Sequence, residues 1–161
     1  MNLNWKRSVV AASGLMLIII AVLFEPVIFG GKTFGSPDSL SPKAIGIALN
    51  DVLEKSGEFP QWQPWVFSGM PTAEAFTHLS KLYFPEYIFK LFSLPGMMIQ
   101  LLHLLFAGIG GFLMLRHFKC SEWAAGLGAT AFMITPYMVT MVVFGHGSQM
   151  MTAAYIPWIL W

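Results

Sequence analysis

The sequence predicts an all-α integral membrane fold: a multi-span helical bundle with an extracytoplasmic loop of interfacial helices after the first span. Three observations carry that prediction. Hydrophobic residues make up 56% of the 161-residue chain and charged residues only 11%, where a soluble domain carries about a quarter charged residues. Mean hydropathy is +0.65. The apolar residues are also gathered into runs of about 20, the length that crosses a hydrocarbon core of roughly 30 Å.

The first run, residues 9–29, is uncharged apart from Glu25 and follows Lys6 and Arg7. A cleaved signal peptide competes with this reading, because the start is basic. The run is longer than a signal core, however, and no small-x-small cleavage site follows, which favours an uncleaved span. A second run, 95–115, ends at Arg116-His117-Phe118-Lys119. A third, 123–144, ends at Gly145-His146-Gly147-Ser148. A fourth begins at 153 and reaches 161, too short to cross. The chain, 1–161, is therefore expected to be the opening portion of a longer membrane domain.

Short flanks set the orientation. Lys6 and Arg7 precede the first span, and Arg116 and Lys119 occupy the turn between the second and third. Three alternating spans place both pairs on one side, which the positive-inside rule assigns to the cytoplasm. The stretch 30–94 then lies outside. Its five lysines, from Lys32 to Lys90, do not oppose this, since loops of about 60 residues translocate largely regardless of charge.

Within that loop the pattern is helical with interruptions. Ser41 followed by Pro42 predicts a helix start. Ile45, Ala48, Leu49, Val52 and Leu53 then recur at helical spacing opposite Lys43, Asn50, Asp51, Glu54 and Lys55, and Gly57 is placed to end the helix. One apolar stripe beside membrane spans suits a helix lying on a bilayer surface or against the bundle. Residues 59–71 cannot form regular helix, because Pro60, Pro64 and Pro71 interrupt them. Their Trp62, Trp65 and Phe67 suit the headgroup zone. A further piece from Pro85 to Phe92 groups Tyr87, Ile88, Leu91 and Phe92 on one face, a second interfacial helix.

Several chemistries are not signalled. A net charge of +1 without a basic stripe gives no sign of nucleic acid as a partner. Cys120 is the single cysteine, so no internal disulfide forms, and its cytoplasmic side predicts a reduced thiol. No CxxC, HExxH, phosphate loop or GxSxG is present, and the four histidines lack metal-ligand spacing. What remains is a short set of polar groups near the outer face. Asp38 is the only carboxylate between the first span and the first loop helix. It could deprotonate an acceptor hydroxyl or hold a divalent cation, or serve only as a turn-forming Asp. Glu25 is either functional or a snorkelling side chain. Gln100 and His103, three apart, share one face of span two and suit either a polar cavity or interhelical hydrogen bonds. His146 and Gln149 flank the outer exit of span three. Gly108, Gly110 and Gly111 in span two, with Ala124 and Gly128 in span three, predict close helix contact.

Taken together, these residues carry a resemblance. The chain orders an uncleaved first span, an outer loop with an early Asp, and Gly-Glu-Phe-Pro-Gln-Trp-Gln-Pro at 57–64. Phe-Ser-Gly-Met-Pro-Thr at 67–72 and Leu-Tyr-Phe-Pro-Glu-Tyr at 82–87 follow. Last comes Phe-Gly-His-Gly-Ser-Gln-Met-Met-Thr-Ala-Ala-Tyr-Ile-Pro-Trp at 144–158. This resembles the N-terminal part of the YfhO family of bacterial polytopic membrane proteins, similar in layout to GT-C lipid-linked glycosyltransferases. The resemblance implies a bacterial inner-membrane protein of the cell envelope that transfers a sugar from a polyprenyl-phosphate donor to an extracytoplasmic acceptor. It implies Asp38 as catalytic base or metal-linked acid, and with that a divalent cation as a cofactor to be considered. It gives Trp62, Trp65 and His146 the role of substrate-binding residues, with the bilayer and the lipid donor as partners. Donor-phosphate residues in such enzymes come from later loops, so these 161 residues alone are expected to be inactive. The alternative is a non-enzymatic polytopic protein, a transporter or an envelope-assembly component, in which the loop is only a lid.

Overall fold

The computed structural model describes residues 3–72 and 84–161. The described chain is mostly helical and carries three helices long and apolar enough to cross a membrane: Trp5–Leu23, Gly96–His117 and Glu122–Val143. Residues Leu82 and Tyr83 of the Leu-Tyr-Phe-Pro-Glu-Tyr motif lie outside the described residues. The chain forms two compact units, one of Met1–Phe34 with Leu94–Trp161, the other of Gly35–Ser93.

The first unit is a helical bundle. Helix α1 (Leu3–Leu23) is followed after Phe24 by a single turn, α2 (Glu25–Ile28). The predicted span 9–29 is thus shifted toward the N-terminus. Pro26 is the reason: it cannot continue the backbone ladder, so the long helix stops before it and restarts with Pro26 in its first turn. Helix α5 (Gly96–His117) matches its predicted span closely. Half of its most apolar stretch is buried, 50% against 11% for α1 and 22% for the third span, so α5 is the central helix.

The third span is not one helix. It divides into α6 (Glu122–Met133) and α7 (Pro136–Val143), with the break at Ile134 and Thr135. Pro136 removes one N–H and disfavours helical geometry in the residue before it. Thr135 adopts extended backbone and caps α7, its hydroxyl accepting from the Met138 N–H at 3.4 Å. The fourth predicted element starts earlier than Ala153: α8 (Gly147–Ala154) precedes Tyr155 and a last turn, α9 (Ile156–Leu160).

Helices α1, α6, α7 and α8 each bury one stripe. Met16, Ile20 and Phe24 recur at four-residue spacing in and just beyond α1, as do Ala125, Ala129 and Met133 on α6, Met138 and Val142 on α7, and Met150 and Ala154 on α8. They close around Leu101, Leu104, Ala107 and Phe112 of α5. The small residues act as predicted, with altered partners. A side chain added at Gly111 would meet Ala129 of α6, and one at Gly108 would meet the Met16 and Met133 sulfurs. Gly128 lies against Leu115. Ala124, expected in the contact, is exposed instead, and Ala125 takes its place. Gly110 admits not a neighbouring helix but the Trp158 indole, whose Nε1–H donates to the Phe106 carbonyl at 2.9 Å.

One end of the bundle is tied by polar contacts. The Arg116 guanidinium donates to the Cys120 carbonyl at 2.6 Å, lies 5.8 Å from the Trp5 ring centroid, and stands 3.7 Å from Glu122 Oε1. Glu122 in turn accepts from the Ser8 hydroxyl at 2.7 Å. These contacts join the start of α1, the end of α5 and the start of α6, where Ser121 caps α6 through the Ala124 N–H. The charged hydrogen bond and the ring contact dominate, because Glu122 is half exposed and its ion pair is long. Arg116 Nε is buried without an acceptor among the described residues, which offsets part of the gain. Arg116→Ala is expected to cost about 1–3 kcal/mol, read as a lower unfolding midpoint in mixed detergent. Arg116→Lys should recover only a fraction, lacking the planar fork.

The second unit begins with α3 (Pro37–Ser56), which starts five residues before the predicted Pro42. Ser36 takes the extended N-cap conformation and Pro37 the first helical position, so the earlier Ser-Pro pair is the one that opens the helix. The predicted stripe holds: Leu49 is buried, Ile45, Ala48, Val52 and Leu53 are partly covered, and Lys43, Asn50, Asp51, Glu54 and Lys55 are exposed. Gly57 ends α3 in the left-handed region, as expected. Beyond it, β1 (Trp62–Gln63) pairs antiparallel with β2 (Met70–Pro71), Trp62 opposite Pro71 and Gln63 opposite Met70. Helix α4 (Phe84–Leu91) replaces the predicted Pro85–Phe92 piece, and Tyr87, Ile88, Leu91 and Phe92 are all exposed.

Candidate functional site

Asp38 lies in the first turn of α3 and is exposed. Extended Ser36 and Pro37 put the helix start ahead of it, so its carboxylate stands where the positive end of the helix favours an anion. Among the described residues no three His, Cys, Asp or Glu side chains come together to hold a metal ion.

Trp62 and Trp65 stand on the ribbon. Strand alternation turns Trp62 outward, 55% exposed, while Gln63 is fully buried, as is Thr72 beyond β2. The Thr72 N–H donates to the Gln61 carbonyl at 3.0 Å and extends the pairing. Trp62 lies against Gly69, where an added Cβ would come within 2.6 Å of the indole Nε1. Gly69 also has φ +111°, so the position excludes a side chain on two counts. Trp65 is half exposed within the turn.

The tip of the ribbon holds a residue that sequence reasoning had placed only in the headgroup zone. The Gly69 N–H donates to the Val66 carbonyl at 2.9 Å, closing a tight turn over Phe67 and Ser68. Both have left-handed backbone, φ +49° and +62°, a conformation that glycine, asparagine and aspartate supply at lower cost. Phe67 is 80% exposed. A bulky aromatic held in unfavourable backbone and pointed into solvent is an outlier of the kind that clusters at functional positions. The only signal in the sequence was the Ser-Gly pair, which marks a turn without locating its corner.

His146 belongs to the bundle unit. It is the N-cap of α8, exposed, and its carbonyl accepts from the Gln149 and Met150 N–H groups at 3.0 and 3.3 Å. Gly145, at φ +92°, makes the turn out of α7 that sets it there. Asp38, Trp62 and Trp65 thus share the Gly35–Ser93 unit, and His146 stands in the other. Glu25 is exposed in the first turn of α2.

Gln100 and His103 meet the two ends of α8, at Gly147 and Tyr155. His103 is buried, with its Nδ1 2.7 Å from the Ile99 carbonyl, and its ring lies beside Phe106 and Tyr155 at 6.3 and 6.2 Å between centroids. Phe106 stacks on Trp158 at 4.5 Å. The Gln100 amide lies against Gly147, at a distance that leaves no room for a side chain there. One face of α5 thereby receives α8 and α9 through an aromatic cluster.

Comparison of the chain with protein-family models, with curated proteins and with solved structures gives no match.

Proposed function

We propose that this chain is the N-terminal part of a bacterial inner-membrane glycosyltransferase-like protein, which moves a sugar from a polyprenyl phosphate to an extracytoplasmic acceptor. The observation that carries the reading is Asp38: an exposed carboxylate in the first turn of α3, the first long helix after the first apolar span. In this reading Asp38 takes the proton of the acceptor hydroxyl as its oxygen attacks the anomeric carbon. The bond from that carbon to the lipid phosphate oxygen breaks, and the polyprenyl phosphate leaves with the electron pair. Trp62 and Trp65, in the same unit as Asp38, supply ring faces against which a sugar packs. The family resemblance supports the reaction class. A direct test incubates the full-length protein in proteoliposomes with polyprenyl-phosphate sugars and follows loss of the lipid-linked sugar by thin-layer chromatography. Turnover supports the reading, and its absence across common sugars sinks it.

The orientation is proposed with it: the N-terminus and the Arg116–Lys119 turn in the cytoplasm, residues 30–94 outside. Basic residues at Lys6, Arg7, Arg116 and Lys119 support this, and Arg116 joins that end of α5 to α1 and α6. Ser56→Cys, at an exposed position, should react with a membrane-impermeant thiol reagent in intact cells, while Cys120 should stay unlabelled until lysis. The reverse pattern overturns the orientation.

One observation favours the non-enzymatic alternative. The third span is broken at Ile134–Thr135, and interrupted helices are a mark of transporters. The same assay separates the two, because a transporter leaves the lipid-linked sugar intact.

A further inference from the structure

A groove of about 580 Å³ opens on the bundle unit between the α1–α2 junction and the broken third span. Phe24 and Val27 form one wall, and Val139 and Val143, four apart on α7, form the other. Both walls exist because both helices are interrupted by proline. Pro26 turns the chain after α1, and Pro136 restarts the third span as α7. The segment after α2 then returns across the groove. Gly30 and Gly31 make that return: an added Cβ at Gly30 would lie 2.6 Å from the Pro26 carbonyl, and Gly31 has φ +63°. The Lys32 N–H donates to the same Pro26 carbonyl at 3.0 Å, and Phe34 packs edge-on to Phe24 at 6.0 Å. Lys32 and Thr33 are thereby held in the lining, both exposed and so at the mouth.

The lining is therefore apolar except for one ammonium and one hydroxyl at the opening. Glu25, on the adjacent turn, does not line it. An apolar slot with a cation at its rim matches a molecule with a hydrocarbon chain and an anionic head. We infer that this groove binds a bilayer lipid with an anionic phosphate headgroup, its chain between α2 and α7 and its phosphate at Lys32 and Thr33. The site contains no residue of the Asp38 unit and does not depend on sugar transfer. It depends only on the bundle standing in a bilayer, which the thiol labelling tests independently.

The test is native mass spectrometry of the full chain in a neutral detergent, titrated with phosphatidylglycerol or with phosphatidylcholine of the same chains. The expected result is one tightly held phosphatidylglycerol, with phosphatidylcholine weaker. Lys32→Gln, an exposed change that leaves the core untouched, should weaken phosphatidylglycerol about five-fold, the order of one lysine near a membrane surface. Val139→Trp should reduce binding of both lipids by filling the slot. Millimolar inorganic phosphate should not displace the lipid, since the chain supplies most of the affinity. Equal binding of the two lipids, no effect of Lys32→Gln, retention by a folded Val139→Trp protein, or displacement by phosphate would each overturn the assignment.

Discussion

Asp38→Asn in the full-length protein is expected to lower sugar transfer by about 10²–10⁴-fold, the range a positioned general base contributes. Asparagine keeps the size and still suits the first turn of a helix, but it cannot take the acceptor proton. Folding should be little affected, because Asp38 is exposed in the first turn of α3. Loss of a favourable charge there is worth about 0.3–1 kcal/mol at low ionic strength and less in salt. The two roles therefore separate cleanly: a catalytic Asp loses turnover at constant melting temperature, and a helix-start Asp loses a little stability at constant turnover. Glu25→Gln is the matched control, an exposed carboxylate likewise in a first helical turn. Equal loss in both variants would indicate a general effect of charge, and wild-type turnover by Asp38→Asn would remove this residue from the reaction.

The second large effect concerns the α5–α6 contact. Gly111→Leu is expected to destabilise the bundle by about 1–3 kcal/mol, the cost of forcing bulk into a packed interior. A Cβ at Gly111 alone would sit 3.4 Å from both Cα and Cβ of Ala129 and 3.9 Å from a Phe132 ring carbon. Further atoms of a leucine have nowhere to go without parting the helices. The neighbouring backbone cannot yield as a flexible side chain would, which distinguishes this position from Gly108, where the obstacles are methionine sulfurs. Gly126→Ala provides the contrast, since nothing lies within 4 Å of its added Cβ. It should be neutral or stabilising through helix propensity. Unfolding followed by circular dichroism in mixed detergent reads both. A Gly111→Leu protein as stable as the wild type would mean that α5 and α6 do not pack as described.

The long helices were legible from the chain alone, because a run of about 20 apolar residues has few other uses. The stripe of α3 was equally clear, since Leu49 and its neighbours repeat at the helical period while the charged residues occupy the other side. The end of α3 was legible, because Gly57 is its one stop signal; its start was not. Ser36-Pro37 and Ser41-Pro42 offer the same start signal five residues apart, and nothing local ranks them. The division of the third span had its sign in Thr135-Pro136, but an apolar run conceals a break because hydrophobicity does not change across it. Gly110 illustrates the deeper limit. A small residue in an apolar helix announces a close approach without saying of what, and the partner is an indole 48 positions later in the chain, Trp158.

What the sequence determined by itself is a mostly helical chain, the number of its segments long and apolar enough to cross a membrane, and the apolar stripe of α3. These follow from composition and from periods of a few residues, which act locally. The tertiary structure decided which residues meet. It placed Phe67 at the strained corner of a ribbon, gathered His103, Phe106, Tyr155 and Trp158 into one cluster, and set Lys32 at the mouth of an apolar groove formed by residues from both ends of the chain. The physical reason is that contact between distant segments depends on the summed geometry of every turn between them, and packing selects among turns that local propensity leaves nearly equal in energy.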